Sequence, residues 1–95
     1  MAESPRRVDL RLTIPAAATF HPLAADVAEK FAECAGVERG AAQEFAENLR
    51  SSIAIMARTC PNGAIGIELC TEGRELIATA KAGSATKRTR CPLPD

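Results

Sequence analysis

Cysteine and histidine are the residues of this chain best suited to hold a metal ion or to act as nucleophiles. The chain has four cysteines and one histidine, namely Cys34, Cys60, Cys70, Cys91 and His21. No two cysteines form a C-x-x-C pair, so a zinc site would require four thiols to converge from four separate elements. No cysteine is close in sequence to His21, for which we expect a capping or surface role. We expect reduced thiols, with Cys34 and Cys70 as core residues and no metal site.

Acidic and hydroxyl side chains offer weaker candidates. Glu44 and Glu47 lie three residues apart and could form an acid pair, but a solvated helix face with Arg50 nearby is the favoured interpretation. Ser51 and Ser52 have no G-x-S-x-G context, so we expect packing residues, with phosphorylation as the alternative. The sequence contains neither a G-x-x-x-x-G-K-[ST] nor a G-x-G-x-x-G phosphate-binding motif.

The first half of the chain predicts a strand and two helices. The strand is predicted by strict alternation at Val8, Leu10, Leu12 and Ile14, and Pro15 ends it. The buried face of the first helix is predicted to consist of Leu23, Val27, Phe31 and Cys34. Gly36 suits a left-handed C-terminal cap. The second helix, from about 38 to 58, has a predicted buried stripe of Phe45, Leu49, Ser52 or Ile53, and Met56.

The second half predicts a hairpin followed by a tail. Residues 60–63 have turn composition, residues 65–69 alternate, and residues 76–81 form a further strand after a short Gly-containing loop. We therefore expect an α+β two-layer sandwich in the order β-α-α-β-β, with two amphipathic helices packed on a small, mostly antiparallel sheet. The domain is expected to span residues 8–83, between a disordered segment 1–7 and a basic, Pro-containing tail 84–95.

Composition excludes several classes of function. The formal charge is zero at pH 7, which gives no indication of nucleic-acid binding. No apolar run reaches the length of a membrane span, and the N-terminus lacks a signal peptide's apolar stretch, so we expect a cytoplasmic protein without a membrane partner. The core is rich in alanine and poor in aromatic residues, and a homodimer would add buried area.

The pattern of elements resembles the first part of the GHKL, or histidine-kinase-type, ATPase domain, and especially its anti-sigma-factor serine kinase branch. The likeness runs from about residue 8 to residue 83. It includes "Leu-x-Leu-x-Ile-Pro-Ala" at residues 10–16 and "Ala-Gly-Val" at residues 35–37, followed by a long helix, a Pro/Gly turn and a hairpin. The resemblance implies a truncated member, because the family's later Gly-rich lid and final strands have no counterpart.

The family's metal-binding helix motif is degenerate in one register and intact in another. The resemblance implies a Glu and, four residues later, a magnesium-binding Asn. Matching the loop lengths places these roles on Ser51 and Ile55, with a neighbouring family His at Thr59. Isoleucine has no oxygen for a hard cation. The alternative register uses Glu44 as base and Asn48 as magnesium ligand.

The family's adenine-binding motif, Asp-x-Gly-x-Gly, is also altered. Its counterpart is residues 81–85, in which Lys81 replaces the Asp and only Gly83 of the two glycines remains. The ammonium of Lys81 donates hydrogen bonds but cannot accept one from the adenine amino group. The resemblance therefore implies no bound cofactor or metal.

The leading hypothesis is a non-catalytic regulatory or adaptor protein that resembles an anti-sigma factor. Its implied partner is a sigma factor or an anti-anti-sigma protein. One alternative is a minimal Mg-ATP-dependent serine kinase that uses Glu44 and Asn48. Another is a small structural subunit completed by homodimerisation, because an uncovered sheet edge invites pairing.

Overall fold

The computed structural model describes residues 6–60 and 62–93, and for residues 6–9 it describes only the backbone. Most of the predicted loose segment 1–7, Pro61 of the predicted turn, and the last two residues of the predicted tail lie outside the described residues. Residues 6 and 7, which were predicted to be disordered, begin the first strand.

The described residues form four strands, two α-helices and a short 3₁₀ helix. In chain order they are β1 (Arg6–Pro15), the 3₁₀ helix (Ala18–Phe20), α1 (His21–Cys34), α2 (Arg39–Thr59), β2 (Ala64–Glu72), β3 (Glu75–Ala82) and β4 (Ala85–Pro92). No helix in this part of the chain is both long and apolar enough to span a membrane.

The strands form one antiparallel sheet in the order β1-β2-β3-β4, with β1 and β4 at its edges. Helix α1 packs over β1 and β2, α2 packs over β3 and β4, and the two helices pack against each other. The α+β two-layer architecture predicted from the sequence is confirmed.

Strand β4 corrects the prediction of a C-terminal tail. The chain turns at Gly83, which has φ +60°, and pairs with β3 along its whole length. The side chains of Thr89 and Cys91 are buried, while Arg90 on the other face donates to Glu75 Oε1 at 2.9 Å. Basic and buried residues alternate near the end of this segment, as in a strand with one buried face. The segment pairs with β3 because the edge of β3 would otherwise be unpaired.

Helix α1 buries a different face from the one predicted. Its buried apolar residues are Ala24, Ala25, Ala28 and Ala32. Leu23 is half exposed and Cys34 is exposed, while Val27 and Phe31 are half-buried at the margin of the core. Alanines allow α1 to approach α2 and the sheet closely, so the larger apolar side chains of this helix remain on its outer side.

Both ends of α1 are held by identifiable hydrogen bonds. At its start His21, predicted to be capping or exposed, is buried, and its Nε2–H donates to the carbonyl of Ala16 at 2.9 Å. At its end Gly36 has φ +96°, and Val37 donates to the carbonyl of Ala32. The predicted left-handed cap at Gly36 is confirmed, and the bond pattern is that of a Schellman motif.

The predicted stripe of α2 is confirmed, since Phe45, Leu49, Ile53 and Met56 are all buried. Residues 53–57 are apolar on every side of the helix, yet Ile55 is 52% exposed. The outer side of α2 therefore faces solvent along its whole length.

The sheet face opposite the helices contains a small buried patch formed by Cys70, Ile77 and Thr79. Longer side chains such as Arg88 and Arg90 flank it on β4. The hydroxyl oxygen of Thr79 is buried without a hydrogen-bond partner among the described residues. An unpaired buried hydroxyl opposes folding, since it loses its hydrogen bonds with water.

Replacing Thr79 by valine should therefore leave the free energy of unfolding unchanged or raise it by about 1 kcal/mol. Urea denaturation measures the change. Thr79→Ser, which keeps the hydroxyl and removes the methyl group, is the matched control and should destabilise the fold. A loss of more than about 1 kcal/mol in Thr79→Val would mean that this hydroxyl has a partner in solution.

Candidate functional site

The outer side of α2 carries the residues that the resemblance assigns to the helix motif in either register. Glu44, Asn48, Ser51 and Ile55 are exposed and follow one another at three- or four-residue spacing along the helix. Such a spacing places them on one helical face. The helix therefore presents either pair, Glu44 with Asn48 or Ser51 with Ile55, to the same side.

Glu44 and Asn48 line a cavity of about 220 Å³ between α2 and β4. The strand contributes Arg90, Cys91 and Pro92 to this cavity. Burial raises the pKa of the Cys91 thiol above its ordinary value of 9.0, and the nearby Glu44 carboxylate raises it further. The thiol therefore stays protonated at neutral pH, so it is a poor nucleophile there.

The residue that the resemblance assigns to the adenine contact lies elsewhere. Lys81 is exposed on β3, between Ala80 and Ala82, which are buried beneath the helices. Because side chains alternate along a strand, Lys81 points to the open face of the sheet. The structure thus separates Lys81 from Ser51 and Ile55, which lie in the helical layer on the other side.

The remaining candidates do not converge either. Cys34 is exposed, Cys60 is half-buried, and Cys70 and Cys91 are buried, all as free thiols. The prediction that Cys34 is a core residue is wrong, because the close packing of α1 uses its alanine face. Across residues 6–60 and 62–93 there is no group of three or more His, Cys, Asp or Glu side chains placed to hold a metal ion.

The acidic pair is also accounted for by a local contact. Glu47 Oε2 lies 3.8 Å from Arg50 Nη1, and both side chains are largely exposed. This is the solvated helix face with Arg50 nearby that the sequence favoured.

A second surface was not identified from the sequence. A groove of about 350 Å³, which we name the α1–β1 groove, runs between the outer side of α1 and the edge strand. It is lined by Leu10, Asp26, Val27, Lys30, Phe31 and Cys34. Its walls are almost entirely apolar.

The α1–β1 groove has an unusual composition for a solvated surface. Leu10 is 36% exposed, and Leu23 on the preceding turn of α1 is 50% exposed. The adjacent strand β1 has a neighbour on one side only, so its outer edge presents backbone N–H and C=O groups that no described strand pairs. Apolar exposure next to an open strand edge is typical of a protein-binding surface.

One signal in the sequence could have located the groove. Ala24, Ala28 and Ala32 recur at a spacing of four and offer a second, weaker apolar face to α1. Had that face been assigned to the core, the stripe of larger residues would have been free for binding.

Comparisons of the chain with protein-family models, with curated proteins and with solved structures found no match.

Proposed function

We propose that this chain is a non-catalytic regulatory or adaptor protein that binds another protein through the α1–β1 groove. The observation that carries the proposal is the apolar groove beside an unpaired strand edge. An extended segment could add to β1 through main-chain hydrogen bonds and place every second side chain in the groove. Occupants of this kind are extended segments with alternating apolar residues.

The α2–β4 cavity supports a catalytic function less well. It brings Glu44 and Asn48 together, as the alternative serine kinase requires, but places them beside the buried thiol of Cys91. The position that corresponds to the adenine contact, Lys81, lies on the opposite face of the sheet. A sigma factor or an anti-anti-sigma protein, the partner implied by the family resemblance, stays a prediction.

The proposal is tested by selecting ten-residue peptides from a random display library on the immobilised protein. We expect enrichment of peptides with alternating apolar residues, and loss of their binding in the variant Cys34→Glu. Cys34 is exposed, so a carboxylate there should spare the fold while placing charge in the groove. Ile55→Glu, which changes an exposed apolar residue on α2, is the matched control and should bind as the wild type does.

Two results would contradict the proposal. One is a selection in which no alternating apolar peptide is enriched over a blank surface. The other is calorimetric heat with millimolar Mg-ATP that Asn48→Ala abolishes, because that result would favour the kinase.

A further inference from the structure

The open face of the sheet, on the side away from the helices, contains a cavity that the proposed function does not use. The cavity has a volume of about 140 Å³ and lies over β2, β3 and β4. The residues that line it are Cys70, Glu72, Ile77, Thr79, Arg88 and Arg90. The first, third and fourth of these are buried and form its floor, and the longer side chains surround them.

The hydroxyl of Thr79 is the group in this cavity that most needs a partner. Thr79 is 2% exposed, and its Oγ1 has no hydrogen-bond partner among the residues that the structure describes. Unpartnered buried groups of this kind are rare in folded proteins, and each calls for a specific explanation. A ligand that hydrogen-bonds to this hydroxyl accounts for a threonine at a position where valine has the same shape.

Two opposite charges line the same cavity without joining. Arg88 on β4 is the Cα partner of Thr79, and Glu72 lies at the end of β2. Both side chains are exposed, and neither forms an ion pair or a hydrogen bond within the described part of the chain. The cavity therefore has one guanidinium, one carboxylate and one buried hydroxyl that are all available to a ligand.

The other charges on this face are already paired or lie outside the cavity. Arg90 Nη1 donates to Glu75 Oε1 at 2.9 Å, and Arg11 Nε lies 3.3 Å from Glu68 Oε2. Lys81 lines a different cavity on the same face. The available charges thus sum to zero, which favours a neutral zwitterion over a phosphate, since a carboxylate at the cavity repels a dianion.

We propose that this cavity binds a small α-amino acid as its zwitterion. The guanidinium of Arg88 donates to the carboxylate of the ligand, for which its planar shape is suited. The hydroxyl of Thr79, on the neighbouring strand, donates to the same carboxylate. The carboxylate of Glu72 accepts from the ammonium of the ligand. Because the oxygen of Thr79 has almost no contact with solvent, the exposed side chain of Arg88 shifts when the ligand enters.

The volume of the cavity limits the size of the amino acid. A water molecule occupies about 30 Å³ of the liquid, so the cavity holds roughly five atoms of that size. Glycine and alanine are about this large. A longer side chain would project into solvent, where it would add no contact.

Binding is measured by nuclear magnetic resonance titration of the isotopically labelled full chain with glycine and with alanine. We expect saturable changes in the signals of residues that line the cavity. Acetate and methylammonium each supply one half of the zwitterion, and each should bind roughly tenfold more weakly than glycine, or less tightly still.

Three variants each remove one polar group of the cavity. Arg88→Gln, Thr79→Val and Glu72→Gln should each weaken the binding of glycine by roughly tenfold. Lys81→Gln removes an exposed cation that lies on the same face outside the cavity. It is the matched control and should bind glycine as the wild type does. Circular dichroism should show the same fold for all four variants.

The outcomes separate this inference from the proposed function. The absence of saturable binding at millimolar glycine and alanine overturns the inference and leaves peptide binding at the α1–β1 groove untouched. Acetate that binds as tightly as glycine also overturns it, since the ammonium then has no partner. Glycine binding that Arg88→Gln and Thr79→Val leave unchanged overturns it as well, because the amino acid then binds elsewhere.

Discussion

Replacement of Phe45 by alanine is expected to lower the free energy of unfolding by about 3–5 kcal/mol. Phe45 is 2% exposed and is the largest of the fully buried side chains in the described part of the chain. It is one of only three aromatic residues in the sequence, and its neighbours in the core are smaller aliphatic side chains. The domain is small, and its total stability should be about 5–15 kcal/mol, so this substitution removes a large fraction of it. Urea denaturation followed by circular dichroism measures the loss.

The control for Phe45→Ala is Ile55→Ala on the same helix. Ile55 is 52% exposed, so its truncation removes little buried surface and should change the stability by less than about 0.5 kcal/mol. Similar losses in the two variants would show that α2 buries a different side from the one described.

Enlarging Ala28 to leucine is expected to destabilise the fold by about 1–3 kcal/mol. Ala28 is fully buried in the middle of α1, where the helix packs against α2. Three additional carbon atoms have no space there, so the two helices must separate or adopt strained side-chain conformations. The change is measured as a shift of the denaturation midpoint.

Leu23→Ala is the comparison that distinguishes the two possible buried faces of α1. Leu23 is half exposed, so its truncation should cost less than about 1 kcal/mol in the monomer. The face predicted from the sequence would require the reverse order, with Leu23→Ala severe and Ala28→Leu mild. That reverse order would refute the packing of α1 described above.

The elements that could be predicted from the sequence have strong periodicity in large apolar residues. The alternation through Leu10, Leu12 and Ile14 predicts β1, and Phe45, Leu49, Ile53 and Met56 predict the buried side of α2. The turn at Gly73 predicts the β2–β3 hairpin, and there the glycine has φ +61°. In each case one face has all the large apolar residues, so pattern and burial agree.

Helix α1 and strand β4 show where this reasoning fails. Helix α1 has two apolar faces. The face with Leu23, Val27 and Phe31 is more hydrophobic than the alanine face, so the sequence pattern predicts that it is the buried one. Close packing favours the alanine face instead. The choice between the two faces depends on the distance between α1 and α2, and the periodicity of a single helix carries no information about that distance. In β4 only Thr89 and Cys91 supply buried side chains near its end, so its pairing is decided by the free edge of β3.

The candidate binding site could not be predicted for a related reason. Val27, Phe31 and Cys34 were assigned to the core because they are apolar. Their availability for binding follows from the burial of the other face of α1 and from the edge position of β1, which are both properties of the assembled fold.

The strand order has a consequence for the route by which the chain folds. Strands β2, β3 and β4 follow one another through two-residue turns, so their ladders close over short loops and at small entropic cost. Strands β1 and β2 are separated in the sequence by both helices. Their pairing therefore joins residues far apart along the chain, such as Pro15 and Ala64. This long-range closure adds to the contact order, so docking of β1 is the step expected to limit the folding rate.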